Sequence, residues 1–208
     1  MEEITTSDEI YVQQKKEWTE IIVDFETVNR YAVMDQNKKT LGMVAERGGG
    51  IFHHIKRAIF RSHRAFEIDV IDNSGKSTLM LSRNFFFFFS DLFVTSGDGQ
   101  KIGKIHRRFG ILHKKYDLYD QHDNLFAKIK SPIWRLWTFP VVAASTGQEI
   151  GEISKKWGGM LREIFTDADT FRVQYKQHPW TSQQRATVFA AAVSIDFDFF
   201  EDNQGRSD

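Results

Sequence analysis

Residues 48–64, GGGIFHHIKRAIFRSHR, combine basic and apolar side chains at the spacing of an amphipathic helix. Such a segment can lie in the surface of an anionic membrane, where each Lys or Arg contributes about 1 kcal/mol to binding. The predicted lipid contacts of this segment are Phe52, Ile55, Lys56, Arg57, Ile59, Arg61 and Arg64. A linker that docks on the rest of the protein through its Ile and Phe side chains fits the pattern equally well.

A second basic run, KIGKIHRRFGILHKK, extends from Lys101 to Lys115 and contains six Lys or Arg residues and no acid. Its predicted contacts with an anionic surface are Lys101, Lys104, Arg107 and Arg108. The run has two interpretations, which are the solvated face of a strand and a patch that extends the first basic segment. Both stay open at the level of sequence.

Five consecutive phenylalanines, Phe85 to Phe89, lie between these two basic stretches. In a strand, alternate rings point to opposite faces, so one set can enter the core while Phe86 and Phe88 point outward. We predict that the outward rings insert into a lipid interface, where each buried Phe contributes about 1.5–3 kcal/mol. Burial of both faces by neighbouring elements is the alternative.

The chain carries no motif of an enzyme active site: it has no GxSxG, no HExxH and no glycine-rich phosphate loop. It also has no cysteine, which excludes disulfides and thiolate chemistry. Asp196 and Asp198 would share one face of a strand, and we expect them to be solvated or paired with Lys or Arg. The sequence therefore predicts a protein without catalytic residues and without a cofactor.

Hairpins are the elements that must position these groups. Five segments alternate apolar and polar residues on both sides of a turn rich in Gly, Asn and Asp, which is typical of β-hairpins. They begin at Tyr31, Phe66, Leu92, Tyr116 and Val141. Each second arm follows a pattern in which a small residue should lie on a bend or beneath a bulky ring. A sixth, weaker hairpin at Thr170–Tyr175 brings the expected total to about twelve strands.

Two helices are predicted. Residues 17–25 have one apolar face, whereas the segment from Gln183 is apolar all round and must be buried. Its buried residues are Val188, Phe189, Ala191, Ala192 and Ile195, and Asp196 is expected to end it. About ten apolar residues reach only ~15 Å, half of a bilayer core. A sheet of about twelve strands that closes around this helix would bury it.

Four strings carry a resemblance to a known family: FETVNRYAVMD from Phe25, IDNSGKSTLMLSR from Ile71, GEISKKWGGMLREIFTDADTF from Gly151 and IDFDFFE from Ile195. Over roughly residues 9–202 the chain resembles the phospholipid scramblase family, in a cysteine-free, bacterial-type form. The resemblance implies the tubby-like (LURP-one-related) fold, a closed barrel of about twelve antiparallel strands around a buried C-terminal helix. It gives one domain at 9–202 between flexible termini, 1–8 and 203–208.

The same resemblance implies a calcium loop at residues 167–178. Asp167 and Asp169 match its first two ligand positions, but Phe171 has no side-chain oxygen and His178 replaces the final carboxylate. Two interpretations remain, which are a weak calcium site completed by carbonyls or distant acids, and the start of a strand turned by its aspartates. The second accounts for more of these residues.

Membrane association is the function that the resemblance implies. We expect a cytoplasmic protein, peripheral at the inner face of the plasma membrane, that binds anionic phospholipid and is a candidate for transbilayer phospholipid scrambling. The alternative is a non-enzymatic interaction module on the same barrel. The basic runs lack interleaved aromatic residues and a known binding motif, which argues against nucleic acid as the partner. The oligomeric state is not predicted.

Overall fold

The structure, a computed structural model, describes residues 2–14, 27–47, 65–85, 89–108, 113–132, 134, 137–155 and 170–199. Its elements are α1 (Glu2–Thr6), β1 (Glu9–Gln14), β2 (Thr27–Asp35), β3 (Thr40–Arg47), β4 (Phe66–Asp72), β5 (Ser77–Arg83), β6 (Ser90–Ser96), β7 (Lys101–Arg108), β8 (His113–Asp120), β9 (Leu125–Pro132), β10 (Thr138–Ala143), β11 (Glu149–Lys155), β12 (Thr170–Tyr175) and α2 (Ser182–Phe199).

The twelve strands form one closed antiparallel barrel in which each strand pairs with its sequence neighbours, and β1 pairs with β12 to close the sheet. The five predicted hairpins and the predicted tubby-like architecture are confirmed. The predicted sixth hairpin is wrong, because β12 pairs with β11 and with β1, and Phe171 lies opposite Val12. The N-terminal strand thus supplies the partner that the last strand needs, and the twelve described strands form a sheet without an open edge.

Helix α2 lies inside the barrel. Residues 186–198 are all buried, with no more than 7% of any residue exposed, whereas a helix on an outer wall would expose one face. The predicted interior residues Val188, Phe189, Ala191, Ala192 and Ile195 are 0–2% exposed. The predicted end at Asp196 is wrong, because α2 continues to Phe199. Asp196 and Asp198 can stay within the helix because each has a charged partner inside the barrel.

The N-terminus is also more buried than the sequence predicts. The sequence predicts a flexible segment at residues 1–8, but residues 2–6 form α1 and Ile4 is only 1% exposed. The guanidinium Nη1 of Arg185, in the first turns of α2, donates a hydrogen bond of 2.9 Å to the carbonyl oxygen of Ser7. This contact ties the N-terminal segment to α2. The predicted helix at residues 17–25 lies outside the described residues.

The two ends of the barrel differ in their connections. At one end, which we call the turn rim, hairpins close through short turns at residues 36–39, 73–76, 97–100, 121–124 and 144–148. At the other end, the loop rim, β1, β3, β5, β7, β9 and β11 finish and the next strands begin. Asp198, near the end of α2, contacts Arg83 at the end of β5, so α2 also ends at the loop rim.

Aspartate side chains fix the tight turns, and one of them gives a testable pH dependence. Hydrogen bonds from the hydroxyl of Ser74 and from the backbone N–H of Lys76 hold the pKa of Asp72 below its ordinary value. A depressed carboxyl pKa contributes stability that is present above the unfolded pKa of about 3.9 and is lost as the pH falls through the lower folded pKa.

Replacing Ser74 by alanine is therefore expected to raise the pKa of Asp72 toward the ordinary carboxyl value. An NMR pH titration of the carboxyl carbons measures this directly. Asp120, which accepts equivalent backbone bonds in the turn between β8 and β9, is the control in the same spectra and should not move. An unchanged titration of Asp72 would contradict the claim that the hydrogen bond from Ser74 lowers its pKa.

Candidate functional site

Exposed aromatic side chains collect at the loop rim. Among the described residues, five large apolar side chains are exposed: Phe85 (41%), Phe89 (61%), Phe93 (41%), Trp134 (69%) and Trp137 (39%). Four of them follow β5 or β9 at the loop rim, and only Phe93 lies on the wall, within β6. We call Phe85, Phe89, Trp134 and Trp137 the aromatic rim residues. Burying apolar area of this kind against a partner is favourable.

Two of the aromatic rim residues lie against histidines of neighbouring strands. The ring of Phe89 is stacked on that of His106, with centroids 6.1 Å apart and an interplanar angle of 9°. His106 Nδ1 lies 2.6 Å from Asp91 Oδ1. The Trp134 ring is tilted against His113, with centroids 6.2 Å apart. The strand ends thus support the exposed rings from below.

The phenylalanine run connects β5 to β6. Phe85 and Phe89 are exposed and lie outside the strands, so these two members of the set that could enter the core do not enter it. Phe86 and Phe88, the predicted membrane contacts, lie outside the described residues. Trp134 and Trp137 were missed by the sequence analysis. Two tryptophans in a connection between predicted hairpins, just after Pro132, are the signal that would have found them.

The second basic run does not form one patch, because β7 extends it along the whole barrel wall. Lys101 Nζ lies 2.5 Å from Asp123 Oδ2 at the turn rim, and Lys104 Nζ lies 3.8 Å from Asp123 Oδ1. At ~3.3 Å per residue, Lys101 and Arg108 lie at opposite ends of the strand. Arg108 is at the loop rim, 3.3 Å from Asp117. The docking-patch interpretation therefore fails for Lys101 and Lys104, which lie away from the loop rim.

Arg107 points into the barrel, where it joins a buried charge cluster around Asp198. The carboxylate accepts hydrogen bonds from Arg83 Nη1 at 2.5 Å and from the Tyr116 hydroxyl at 2.8 Å. Arg107 Nη1 lies 3.3 Å from the same carboxylate. The side chains of Arg83 and Asp198 are 1% and 0% exposed. Burial and the charge of Asp198 raise the pKa of Tyr116 well above its ordinary value.

Asp196 has a separate set of partners on the other side of α2. It accepts a hydrogen bond of 3.0 Å from the Tyr31 hydroxyl and lies 3.4 Å from Lys155 Nζ. Of the two expected environments, solvated or paired with Lys or Arg, both aspartates have the second. Their predicted common face is wrong, because helical residues two apart project about 200° from each other. The signal for such partners is a carboxylate in an otherwise apolar helix.

Lys114 also faces inward at the loop rim. It is 8% exposed, and its ammonium lies 5.0 Å from the centre of the Phe139 ring. Burial, and then the charge of Arg107 on the adjacent strand, lower the pKa of Lys114. The mouth of the barrel therefore combines buried cations inside with exposed aromatic rings around its edge.

Comparison with known proteins agrees with this architecture. The sequence model of the family described as Scramblase matches residues 1–202. This chain belongs to the scramblase family. Three relatives are the Altered inheritance rate of mitochondria protein 25 of Saccharomyces cerevisiae (29% identical over 92% of this chain), a phospholipid scramblase family protein of Schizosaccharomyces pombe (25% over 95%) and human phospholipid scramblase 1 (25% over 97%). The chain spans 60% to 70% of the length of these relatives.

A solved structure supports the fold alone. An X-ray structure of an Arabidopsis thaliana protein superposes with a TM-score of 0.51, covering 96% of this chain and 94% of that one, at 13% identity. Similarity at this identity carries no site residue across. The barrel of this scramblase-family chain is thus shared, while the aromatic rim residues and the charge cluster are arguments from its own side chains.

Several predicted sites of this scramblase-family chain lie outside the described residues. They are the contacts in residues 48–64, the rings of Phe86 and Phe88, and the calcium ligands Asp167 and Asp169. From Thr170 to Tyr175 the implied calcium loop is strand β12, whose backbone pairs with β1 and β11. Within the described part of the chain, no three His, Asp or Glu side chains are grouped to hold a metal. Calcium binding stays a prediction resting on Asp167 and Asp169.

Within the described ranges, no helix combines the length and the hydropathy that crossing a bilayer requires.

Proposed function

We propose that this scramblase-family chain binds the surface of phospholipid membranes through its loop rim. The observation that carries the proposal is the clustering of four of the five exposed large apolar side chains of the described residues at this one end. Transfer of an exposed ring into an apolar environment contributes about 1.5–3 kcal/mol at full burial. Relatives named phospholipid scramblase are consistent with a lipid partner.

A row of cations supports an anionic surface. Arg108, Lys115 and Lys130 are direct cross-strand neighbours on β7, β8 and β9, at the loop rim. Like charges in such positions are destabilising, so the row has a cost in the free protein that an anionic partner would offset. Each cation contributes about 1 kcal/mol near an anionic leaflet. Anionic lipid of the cytoplasmic leaflet, and thus the inner face of the plasma membrane, is the surface that fits.

Transbilayer movement of lipid is the finer part of the proposal. Helix α2 fills the barrel, and the small pocket between Asp196, Phe139 and Lys155 has an internal volume of about 10 Å³. This is the space of about one water molecule, so it holds no acyl chain. Scrambling by this fold therefore requires deformation of the bilayer at the loop rim, or several copies acting together, rather than passage through the barrel.

Flotation of the purified chain with vesicles tests the surface. The double variant Phe89→Asp/Trp134→Asp is expected to lose at least about tenfold in affinity for vesicles containing phosphatidylserine, because two rings no longer enter the interface. Phe93→Asp is the matched control: Phe93 is 41% exposed, like Phe85, but lies on the barrel wall. It should bind as the wild type does.

Lipid charge and salt provide the second comparison. Binding to phosphatidylserine vesicles should exceed binding to neutral phosphatidylcholine and should weaken as salt rises. Equal flotation of the wild type and the Phe89→Asp/Trp134→Asp variant would overturn the loop rim as the contact. Retention on nucleic acid or on a protein with no flotation at all would instead favour the interaction module.

A further inference from the structure

The outer surface of the barrel is buried along one wall, formed by β1 to β4. Strand residues alternate between the interior and the outer face, so the residues on either side of interior Val12 or Val33 point outward. Several apolar residues that point outward from this wall are nevertheless only 1–7% exposed: Tyr11, Ala32, Met34, Met43, Ala45 and Ile71. The middle of this wall is therefore not available to a membrane or to another partner.

The opposite wall, formed by β8 and β9, is exposed near the loop rim. On β9, Lys128 and Lys130 are exposed, and they point outward because they alternate with buried Ile129. Lys115 on β8 lies directly opposite Lys130. We call Lys115, Lys128 and Lys130 the wall lysines.

The wall lysines differ from other surface cations in their partners. In the part of the chain that the structure describes, none of the three forms an ion pair. Asp117, which lies directly opposite Lys128, is 3.3 Å from Arg108 instead. Arg172 on β12, by contrast, lies between carboxylates of the two neighbouring strands, at 3.2 and 3.6 Å. Three neighbouring cations without carboxylate partners have an arrangement that suits an external anionic surface.

The position of the wall lysines favours a membrane as that surface. The aromatic rim residues precede β6 or follow β9, so they lie on both sides of the sector that carries the wall lysines. A lipid leaflet is flat on the scale of this barrel. It can contact both groups of rings and the wall lysines together only if the barrel leans toward this sector.

Lys128 distinguishes a tilted barrel from an upright one. It is four residues before Pro132, the last residue of β9. That is about 13 Å along the strand, or about 10 Å of height where strands tilt by about 40°. If only the loop rim touched the leaflet, this height would exceed the Debye length of about 8 Å at physiological ionic strength, and the charge would be screened. In a tilted barrel Lys128 reaches the headgroups.

We infer that the wall of β8 and β9 next to the loop rim is a second, lateral membrane-contact surface, which faces anionic phospholipid headgroups in a tilted barrel. The inference rests on the proposed function, because it assumes that the aromatic rim residues enter the leaflet. The contact ends before Phe93, which pairs with Lys104 one row of outward residues further from the loop rim. Phe93→Asp is therefore still expected to bind as the wild type does.

A matched pair of charge removals tests the lateral surface. Lys76, in a turn at the turn rim, is also exposed and forms no ion pair within the described ranges, so Lys76→Gln is the control for Lys128→Gln. Flotation with phosphatidylserine vesicles at physiological salt should show about fivefold weaker binding for Lys128→Gln, because one cation no longer faces the leaflet. Lys76→Gln should bind as the wild type does.

Labels on two walls test the tilt itself. The chain has no cysteine, so a single introduced cysteine can carry a fluorescent label. Lys128→Cys places the label on the lateral surface, and Glu67→Cys places it on β4, where the Glu67 side chain is 57% exposed. With saturating phosphatidylserine vesicles, the label at position 128 should be protected from an aqueous quencher. The label at position 67 should stay accessible, although Glu67 is closer to the loop-rim end of its strand.

Each outcome has a separate meaning. Weaker flotation of Lys128→Gln, together with protection at position 128 alone, would support the tilted barrel. If wild type floats but Lys128→Gln binds as Lys76→Gln does, or both labels respond alike, the lateral surface is overturned and the loop rim alone remains the contact. If wild type floats with no vesicle, the proposed function is overturned, and the lateral surface is overturned with it.

Discussion

Replacing Asp198 by alanine is expected to lower the free energy of unfolding by about 3–5 kcal/mol, because it leaves a buried cation without its counter-charge. Arg83 is 1% exposed on its side chain and donates to Asp198 at 2.5 Å. Its guanidinium lies 4.3 Å from the centre of the Phe66 ring, which holds it in an apolar setting. Tyr116 would lose its acceptor as well, and an unsatisfied buried hydroxyl has its own cost.

Urea unfolding followed by circular dichroism measures this loss. The control is Glu149→Gln, which removes an exposed ion pair with Lys176, where both side chains are more than 40% exposed. Exposed pairs contribute about 0.2–1 kcal/mol, so the control should stay within about 1 kcal/mol of wild type. A loss for Asp198→Ala no larger than that of the control would show that Asp198 is not the counter-charge of Arg83.

The double variant Arg83→Met/Asp198→Leu separates charge from packing. If the loss in Asp198→Ala comes from the orphaned guanidinium, replacing both partners by apolar side chains should recover most of the stability. Recovery of stability in the double variant would mean that the ion pair fixes the position of the end of α2 but adds no net stability. Failure to recover would assign the loss to the cavity left at the helix end.

Local sequence patterns predict the hairpins, but they do not predict the pairing of strands that are far apart in the chain. In the segments from Tyr31 and Phe66, apolar and polar residues alternate on both sides of a turn. The residues that pair are therefore close in sequence, and a local pattern is enough to predict the pairing. The partner of β12 is β1, which begins at Glu9, more than a hundred residues away. Nothing in the alternation of Thr170–Tyr175 specifies that partner; only closure of the sheet does.

The candidate site shows the same division. The apolar run of α2 was enough to predict that the helix is buried. The contact between Asp198 and Arg83 was not predictable in this way, because the two residues are 115 positions apart and meet only once the barrel is formed. In the sequence, the basic residues from Lys101 to Lys115 form one continuous run. In the structure they do not form one patch, because β7 places the two ends of its part of the run at opposite rims of the barrel. Exposure of Phe89 and Trp134 likewise depends on which connections lie at the loop rim.

Replacing Gly103 by valine is expected to destabilise the protein by about 3 kcal/mol, at the upper end of overpacking effects in cores. A Cβ atom at this position would lie 2.3 Å from Thr187 Oγ1 and 2.7 Å from the carbonyl oxygen of Tyr119. The first atom belongs to α2 and the second to the backbone of β8, so neither neighbour can give way cheaply. The atoms nearest to this small residue thus belong to the helix and to the backbone of the neighbouring strand, so the glycine allows α2 to pack closely against β7.

Differential scanning calorimetry of three variants tests this seat. Lys104→Val places the same side chain on the next residue of β7, where it faces outward, and should change stability by less than about 1 kcal/mol. Adding Thr187→Ala to Gly103→Val removes the closer contact but not the Tyr119 carbonyl, so only part of the loss should return. A Gly103→Val protein as stable as Lys104→Val would mean that α2 is not held against β7, and the barrel interior would then be free for other contents.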